Sequence, residues 1–462
     1  MKRKVIIIVG ILVLLGTVVV ISCAYFKVKQ WNSLILPTVK IENENLTGKT
    51  KKEAQMIIKD KYSSQVIKKK INIVTENKKY ILDYSTIDAK YNIDEAIEQA
   101  ISYGKDMNMF QKYKAIKIPV ETKIKLKFEY NNKSVDKMLE KIVKDTNRKP
   151  VNATITMVSS GQFKVTKEIV GKQLETEKLK NNIKSKINGT LSEAVISIAA
   201  PVKEIKPKIS AATLNAINTK ISEFSTNFES SSEGRATNID LSTKSINGTL
   251  LMPGDVFSFN DVVGQRTAEK GYQAAGVIVG DKIEQGLGGG ICQVSSNLYN
   301  AILGTELISL ERTHHTFPSH YVPIGQDATV DYGNLDYKFK NTFKYPIYIE
   351  GFISNRNIYF NIYSNATLTK RTYEIVNEIL GVTQPKTETI QDSTKYQGET
   401  EIIKTGYIGY KVKVIRKTYE NGKLINTQII NNDTYNVING IVKVGTKSRS
   451  TLAPVAKTLI TQ

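Results

Sequence analysis

The longest apolar segment of the chain lies at its start. Three of the first four residues are cations, and no charged residue then follows from Val5 to Phe26. An apolar stretch of this length can cross a bilayer as a helix, and cations ahead of it favour the cytoplasmic side. We therefore expect an uncleaved, single-pass anchor in the cell membrane, with the rest of the chain extracytoplasmic and facing the cell wall.

Two alternatives remain open for this segment. A cleaved signal peptide is the main one, although the apolar run exceeds the usual core of a signal peptide and no A-x-A site follows it. The run from Val20 to Cys23 also resembles a lipoprotein cleavage site, which would leave Cys23 lipidated. All three interpretations put the body of the chain outside the cytoplasmic membrane.

After the anchor and stalk of residues 1–37, the spacing of apolar positions changes between the period of a strand and the period of a helix. Residues 71–101 alternate polar and apolar positions on either side of a polar turn and then show helical spacing. Residues 153–183 repeat this order around a Ser-Ser-Gly turn, and an amphipathic helical pattern precedes each segment. The repetition predicts two copies of an α+β unit in residues 38–203.

A linker follows, because Pro201 and Pro207 lie in a lysine-rich stretch. Residues 208–364 form the next predicted domain. Residues 372–448 read as strands, with an Asn-Gly pair at 421–422 typical of a two-residue hairpin, and the last dozen residues read as a loose tail. The predicted fold class is α+β multidomain, from a transmembrane helix through repeated α+β units and a larger α+β domain to a small all-β domain.

The net charge of the chain limits the kinds of binding partner that we expect. Lys and Arg number 65 against 44 Asp and Glu, which gives a net charge of +21. A basic exported protein should concentrate at anionic lipid, anionic wall polymers or carboxylate-rich peptides. The alternative is that the lysines form only a solvated surface and bind no partner. Nucleic acid is excluded as a partner by the export signal and the absence of a dense arginine-rich patch.

The chain has 2 cysteines, and one of them has an unusual position. Cys23 lies in or on the membrane, so Cys292 is a single thiol with no intramolecular disulfide partner. It follows three glycines in QGLGGGICQVSSNLYNAIL, directly before a helical pattern. The start of a helix favours a thiolate, and backbone N–H groups freed by Gly288, Gly289 and Gly290 could hold an oxyanion. Such a site suits acyl transfer.

All 3 histidines of the chain lie within seven residues of one another, as His314, His315 and His320. The helix and strand expected after Cys292 could bring an imidazole back beside the thiol. Two alternatives stay open, a metal site and a packed structural cysteine, although the adjacent His314 and His315 would point to opposite faces of a strand. The orienting carboxylate is not decided by sequence and is one of Asp327, Asp331 and Asp336.

Three stretches resemble the VanW domain of bacterial envelope proteins over nearly its whole length. They are RATNIDLSTKSINGTLLMPGDVFSFNDVVGQRTAEKGYQAAGVIV, GGGICQVSSNLYNA and ERTHHTFPSHYVPIGQDATVDYGNLDYKFKN. The upstream copies are similar to a peptidoglycan-binding domain that often precedes VanW or transpeptidase domains. The C-terminal segment, with TGYIGYKVKVIRKTYENGKL and IVKVGT, resembles the small envelope domain named for five glycines.

The resemblance implies an activity. Members of the VanW family are regarded as cysteine-dependent L,D-transpeptidases, which makes Cys292 the nucleophile and His315, third after Arg312, the recurring histidine. The family usually reads Gly-Arg-Asp-Ala-Thr-Val where this chain has glutamine at position 326. If the missing arginine binds a substrate carboxylate, that role must pass to Arg312 or Arg266.

The resemblance therefore implies an enzyme that forms 3→3 cross-links between peptidoglycan stem peptides, through a cysteine acyl-enzyme and without a metal or organic cofactor. Its expected partners are stem peptides, glycan strands and, through the N-terminal helix, the membrane. A cysteine carboxypeptidase or hydrolase and a non-catalytic wall-binding scaffold are the alternatives. The predicted catalytic residues are Cys292, His315 and Asp327 or Asp331. The predicted substrate and oxyanion contacts are Gly289, Gly290, Gln293, Ser295, Arg312 and Tyr321.

Overall fold

The computed structural model describes residues 1–190, 194–279 and 282–449. The chain divides into two compact units. The first comprises residues 1–151 and 169–207, and the second comprises residues 152–168 and the chain from 208 onward. The predicted loose tail, the last dozen residues, lies outside the described residues.

The first unit begins with helix Lys2–Gln30, which spans 29 residues. Among the described residues it is the one helix long and apolar enough to cross a membrane, a property that an anchor and a signal sequence share. The next helix, Lys51–Ile58, begins at a capping box in which Thr50 and Glu53 bond to each other's backbone N–H groups.

The helices and strands of the first unit are short and alternate along the chain. Its α-helices are Lys2–Gln30, Lys51–Ile58, Ser64–Val66, Ile93–Ser102, Met109–Lys117, Asn132–Thr146 and Thr176–Lys186, and Lys59–Ser63 is a π-helical turn. Its strands are Val39–Ile41, Glu44–Asn45, Lys70–Val74, Lys79–Asp83, Lys90–Tyr91, Thr122–Ile124, Phe128–Glu129, Gly171–Leu174, Val195–Ala199 and Val202–Ile205.

One core of this unit draws on both predicted copies. Strand Lys70–Val74 pairs antiparallel with Lys79–Asp83 and parallel with Val195–Ala199. Helices Asn132–Thr146 and Thr176–Lys186, which belong to the second predicted copy, bury their apolar faces in the same cluster. The two predicted copies therefore share this core, although helices Lys51–Ile58 and Ile93–Ser102 of the first copy also pack in a second cluster of their own, and the boundaries of the copies stay a prediction.

The reason is that the hairpin of the second predicted copy belongs to the other unit. Strands Thr154–Ser159 and Gln162–Thr166 pair with each other, as the sequence predicts. Phe163 packs edge-on against Tyr348 and Tyr363, with ring centroids 5.1 and 5.3 Å apart. Apolar residues of this hairpin thus find their partners in the second unit.

The second unit is built around a four-stranded antiparallel sheet. Its strand order is Thr219–Asn227, Asn357–Ser364, Ile347–Ser354 and Thr249–Leu251. Helix Ile291–Leu303 shares the main core of the unit with these strands, and Asn297 of the helix donates to the carbonyl of Ile358. The helix is thereby fixed to the sheet along its length.

The other elements of the unit up to residue 370 surround this pair of layers. They are helices Ala211–Leu214, Glu233–Ile246 and Phe259–Val263, the 3-10 turns Ala268–Lys270 and Ala366–Lys370, and strands Val256–Ser258, Ala274–Val279, Lys282–Leu287, Ile308–Glu311 and Lys338–Lys340.

The C-terminal part of the unit is all β, as predicted. One sheet contains Arg371–Thr383, Gly409–Glu420 and Lys423–Tyr435, and another contains Thr387–Tyr396, Gly440–Lys447 and Thr400–Lys404. Asn421 and Gly422 have φ of +51° and +77° and join two of these strands, which confirms the predicted two-residue hairpin. The α+β multidomain fold class, with an apolar N-terminal helix and an all-β C-terminal region, is confirmed.

Candidate active site

Cys292 is the one residue of its helix that reaches solvent. Every other residue of Ile291–Leu303 is buried, whereas Cys292 is partly exposed. Its Sγ lies 3.5 Å from the carbonyl oxygen of Val330. Because Cys292 is in the first turn, the helix dipole and the free N–H groups of that turn favour a thiolate there.

The three glycines before Cys292 are required by the packing of the protein itself. Gly288 and Gly290 have φ of +88° and +105°, a region that favours glycine. A Cβ would come within 3.3 Å of Arg266 at Gly288, within 2.6 Å of a backbone carbonyl oxygen at Gly289, and within 2.8 Å of Arg235 at Gly290. The turn thus lets two arginine stems close on the start of the helix.

His315 joins Cys292 to a buried carboxylate. The imidazole is only 4% exposed, and its Nδ1 lies 2.5 Å from Oδ2 of Asp327. The backbone N–H of His315 donates to the same oxygen at 2.7 Å. The ring also interacts with the thiol of Cys292, for which Nε2 is the nitrogen that Asp327 leaves free. The imidazole therefore lies between the thiol and the carboxylate.

The charges of this group support one another. Burial alone would raise the pKa of the Cys292 thiol, but the hydrogen bond and charge of His315 outweigh it, so the pKa lies below its ordinary value. Burial alone would lower the pKa of His315, but its hydrogen bonds to Asp327 and Cys292 raise it to about 10. Both shifts favour a thiolate beside an imidazolium at neutral pH.

Asp327 is held by four donors. Besides the two N–H groups of His315, its carboxylate accepts from Nη2 of Arg312 at 3.1 Å and from the hydroxyl of Tyr435. The residue is 1% exposed. Burial alone would raise the pKa of Asp327, but the hydrogen bond and charge of His315 and the charge of Arg312 lower it to about 2. The carboxylate is thus ionised, oriented and hidden from water.

The other candidate histidines and acids lie elsewhere. His314 donates from Nδ1 to the carbonyl of His315 and packs on Tyr435, whereas His320 is exposed. Asp331 is also exposed and accepts from Asn334, so the structure brings Asp327 to His315 and not Asp331. Across the described ranges, no group of three or more His, Cys, Asp or Glu could hold a metal ion.

Arg312 differs from the expectation that it contacts a substrate. All of its five N–H groups have protein acceptors, namely both oxygens of Asp433, the carbonyls of Gly325 and Asp327, and the Asp327 carboxylate. These contacts use Arg312 to hold Asp327 in place. Gln326, where the family resemblance expects an arginine, is buried and donates to Asn377. Of the two arginines named from sequence, Arg266 alone keeps an unused donor, since its Nη2 has no hydrogen-bond partner.

The remaining residues predicted to contact a substrate fall into two groups. Gln293 and Ser295 are buried and bond within the protein, Gln293 to Arg235 and Ser295 to the carbonyl of Ala328 at 2.6 Å, so they fix neighbouring segments. Tyr321 lies at the site itself. Its ring is edge-on to His315 at 6.4 Å between centroids, and burial raises its pKa well above the ordinary value.

Sequence reasoning missed three residues at this site. Arg235 lies against the glycine turn, Tyr435 donates to Asp327, and Asp433 holds Arg312. Tyr435 is one of 23 tyrosines and follows Asp327 by 108 positions, so no local pattern singles it out. Only the pairing of distant strands brings it to the carboxylate.

Family models match three parts of the chain in the predicted order. They are "Putative peptidoglycan binding domain" over residues 80–195, "VanW like protein" over residues 234–363 and "G5 domain" over residues 374–447. Cys292, His315 and Asp327 lie in the second of these ranges, and Tyr435 lies in the third.

Two curated proteins are similar to part of the chain. "Uncharacterized protein YoaR" of Bacillus subtilis (strain 168) is 40% identical over 179 residues, which are 38% of this chain and 59% of that protein. "Vancomycin B-type resistance protein VanW" of Enterococcus faecalis (strain ATCC 700802 / V583) is 32% identical over 114 residues, which are 24% of this chain and 42% of that protein. The chain thus spans less than two thirds of either relative.

Two solved structures are similar to a short segment. "IgA1 Protease G5 domain structure" is 22% identical and covers 17% of this chain and 94% of that chain, with a TM-score of 0.13. "Crystal structure of HP0197-G5" is 24% identical and covers 16% and 95%, with a TM-score of 0.12. The family models confirm the predicted architecture, in which a VanW-like region follows a peptidoglycan-binding family match and precedes a G5 domain.

Proposed function

We propose that the protein is a cysteine acyltransferase of the cell wall, an L,D-transpeptidase that forms 3→3 cross-links between peptidoglycan stems. The observation that carries the proposal is the line of Cys292, His315 and Asp327 at the start of a buried helix. A nucleophile paired with a base that a third group orients is the arrangement that acyl transfer uses. The VanW-like match over these residues supports the same chemistry.

In the first half-reaction, thiolate Cys292 attacks the carbonyl carbon of the third stem residue. The new C–S bond forms as the peptide bond to the terminal D-alanine breaks. His315, protonated at Nε2, gives its proton to the leaving amine. The backbone N–H of Cys292, in the first turn of its helix, is the donor nearest to the developing oxyanion.

In the second half-reaction, a side-chain amine of another stem attacks the thioester. Neutral His315 takes a proton from this amine, the C–S bond breaks, and the thiolate and imidazolium are restored. Asp327 stays ionised throughout, because its pKa of about 2 lies far below neutral pH. It keeps Nδ1 of the imidazole in place, so that only Nε2 exchanges protons.

The flanking regions suggest where the reaction takes place. The peptidoglycan-binding and G5 matches favour contact with wall polymers, and the net charge of +21 suits anionic ones. Helix Lys2–Gln30 would hold the enzyme at the outer face of the cell membrane. We place the active site outside the cell.

The test is to incubate the full chain with tetrapeptide-bearing muropeptides and to follow both protein and product by mass spectrometry. We expect an acyl adduct on Cys292 and cross-linked dimers as the main product, and neither with Cys292→Ala. Cys23→Ala is the matched control and should behave as the unmodified chain does. Free tripeptide as the main product would make the protein a carboxypeptidase, and turnover by Cys292→Ala would exclude the mechanism.

A further inference from the structure

Two arginines flank the turn that precedes the nucleophile. Arg266 lies against Gly288 and Arg235 lies against Gly290, and both interact electrostatically with the thiol of Cys292. Both guanidinium groups are partly buried, and neither forms an ion pair with a carboxylate of the described residues. Buried cations are normally paired, so this positive site is suited to an anion from outside the protein.

The hydrogen bonds of the two arginines differ. Arg235 donates from Nη1 to Ser231 at 2.7 Å and from Nη2 to Gln293 at 2.8 Å, so both terminal nitrogens are engaged. Arg266 donates from Nη1 to Asn260 at 2.7 Å, but its Nη2 is buried without any hydrogen-bond partner. A buried donor left without a partner costs free energy, which a ligand oxygen would recover.

The arginine with the unused donor is held in position. Asn260, which accepts from Arg266, is itself anchored: its backbone N–H donates to the carboxylate of Asp336 and its side-chain amide donates to the carbonyl of Leu335. Both anchors belong to the folded segment beside the site. Arg266 is therefore positioned before any ligand arrives, which lowers the entropy cost of binding.

Two aromatic rings lie near the guanidinium group. Phe259 is fully buried, with its ring centroid 5.5 Å from Cζ of Arg266. Tyr332 is 48% exposed, with its ring centroid 5.9 Å from the same atom. Arg266 therefore lies between a ring of the core and a ring at the surface.

We propose that Arg266 binds the C-terminal carboxylate of the donor stem, the carboxylate of the residue that the reaction expels. The inference rests on the proposed function. In a peptide cleaved before its last residue, that carboxylate lies three bonds from the attacked carbonyl carbon, about 4 Å away. An anion so close to Sγ falls beside Arg266 and its unused Nη2 donor. The charge of Arg266 would repel the protonated amine of an acceptor, so Arg266 faces the donor.

The experiment compares a tetrapeptide stem with its C-terminal amide and measures the rate at which each acylates Cys292 in the full chain. We expect the acid to be preferred on the order of 10–100-fold in kcat/KM, the value of a charge-assisted hydrogen bond. Arg266→Gln should bring the preference close to one, and Arg266→Lys should restore part of it. The ratio of acid to amide cancels any effect of Arg266 on the reactivity of the thiol.

Arg235→Gln is the matched control, because Arg235 lies equally close to the turn but has both terminal nitrogens engaged. It should keep the preference for the acid. Equal rates for acid and amide in the unmodified chain, a full preference in Arg266→Gln, or loss of preference in Arg235→Gln would each overturn the assignment while leaving acylation of Cys292 intact. No adduct from either peptide would overturn the proposed function and this inference with it.

Discussion

The four hydrogen bonds to Asp327 decide what His315 can do. Two of them come from His315 itself, so the ring cannot turn and Nδ1 keeps its proton. Nε2 is left facing Cys292. A helix dipole alone contributes typically 0.3–1 kcal/mol to an anion at its start, whereas an adjacent opposite charge shifts a pKa by roughly 1–3 units. The imidazolium, more than the helix, makes the thiol reactive.

The pH dependence of acylation follows from these charges. Activity should rise as Cys292 ionises through its lowered pKa and should fall as His315 loses its proton near its pKa of about 10. The profile of kcat/KM against pH is therefore a bell with its alkaline limb near 10. Asp327→Asn should move this limb to lower pH, because it removes the hydrogen bond and charge that raise the pKa of His315. An alkaline limb near 6.5 in the unmodified chain would mean an ordinary histidine.

The three clustered histidines should differ sharply when each is replaced by alanine. His315→Ala should lower kcat/KM by roughly 10²–10⁴-fold, the usual value of general acid–base assistance. His314→Ala and His320→Ala are the matched controls, since His314 bonds only to a backbone carbonyl and His320 is exposed. Similar losses at all three positions, measured on variants with native circular dichroism, would contradict the assignment.

At the scale of elements, the glycine turn and helix Ile291–Leu303 are linked through Arg235. The helix is buried on all sides, so its direction is set by the sheet and not by the turn. The turn instead determines which side chains pack beside the first residues of the helix, namely those of Arg235 and Arg266. Any side chain at Gly290 would push on Arg235, which in turn bonds to Gln293 of the helix.

Gly290→Ala should therefore cost both stability and activity. The positive φ of +105° by itself should cost about 1–2 kcal/mol in the free energy of unfolding, and the clash with Arg235 adds to this. Gly254→Ala is the matched control, because Gly254 has φ of +91° but nothing within 4 Å of a Cβ. Urea unfolding and kcat/KM of both variants give the comparison. Equal destabilisation with full activity in both would show that the turn is not coupled to the site.

At the scale of the whole molecule, the C-terminal sheet contributes residues to the candidate active site of the second unit. Tyr435 and Asp433 both lie on strand Lys423–Tyr435 and contact Asp327 and Arg312. Asn431 of the same strand donates to the carbonyl of Gly325. The region matched by the G5 model thus supports the carboxylate behind the histidine, in addition to any contact with wall polymers.

Tyr435→Phe should test this support. The change removes one hydrogen bond from Asp327 and should lower kcat/KM by about 10-fold, since a hydrogen bond to a charged group is worth roughly 1.5–3 kcal/mol and part is recovered by relaxation. It should also shift the alkaline limb of the pH profile, which loss of stability alone would not do. Tyr419→Phe is the matched control, because Tyr419 donates to Glu374 in the same sheet. An unchanged profile in Tyr435→Phe would remove Tyr435 from the site.

The structural features that the sequence predicts well are those that depend on residues close together in the chain. The helix after Cys292 and the clustering of the three histidines around His315 are local signals that locate the thiol and the imidazole, and the two-residue hairpin at Asn421 is a local signal of the fold. The choice of Asp327 over Asp331 depends on how one loop folds back. The contacts of Phe163 with Tyr348 and of Tyr435 with Asp327 depend on chain segments far apart in sequence, which no periodicity records.

The contact between Tyr435 and Asp327 can form only late in the synthesis of the chain, because Tyr435 follows Asp327 in the sequence. Tyr435 is synthesised 108 residues after Asp327, so a growing chain holds Cys292, His315 and Asp327 before it holds the strand that supports them. We expect such a chain to carry a thiol of ordinary reactivity, whose pKa falls only after the strand that contains Tyr435 has been synthesised. Alkylation of Cys292 in chains arrested before residue 435, compared with finished chains, measures this delay. Equal rates would mean that the thiolate forms early.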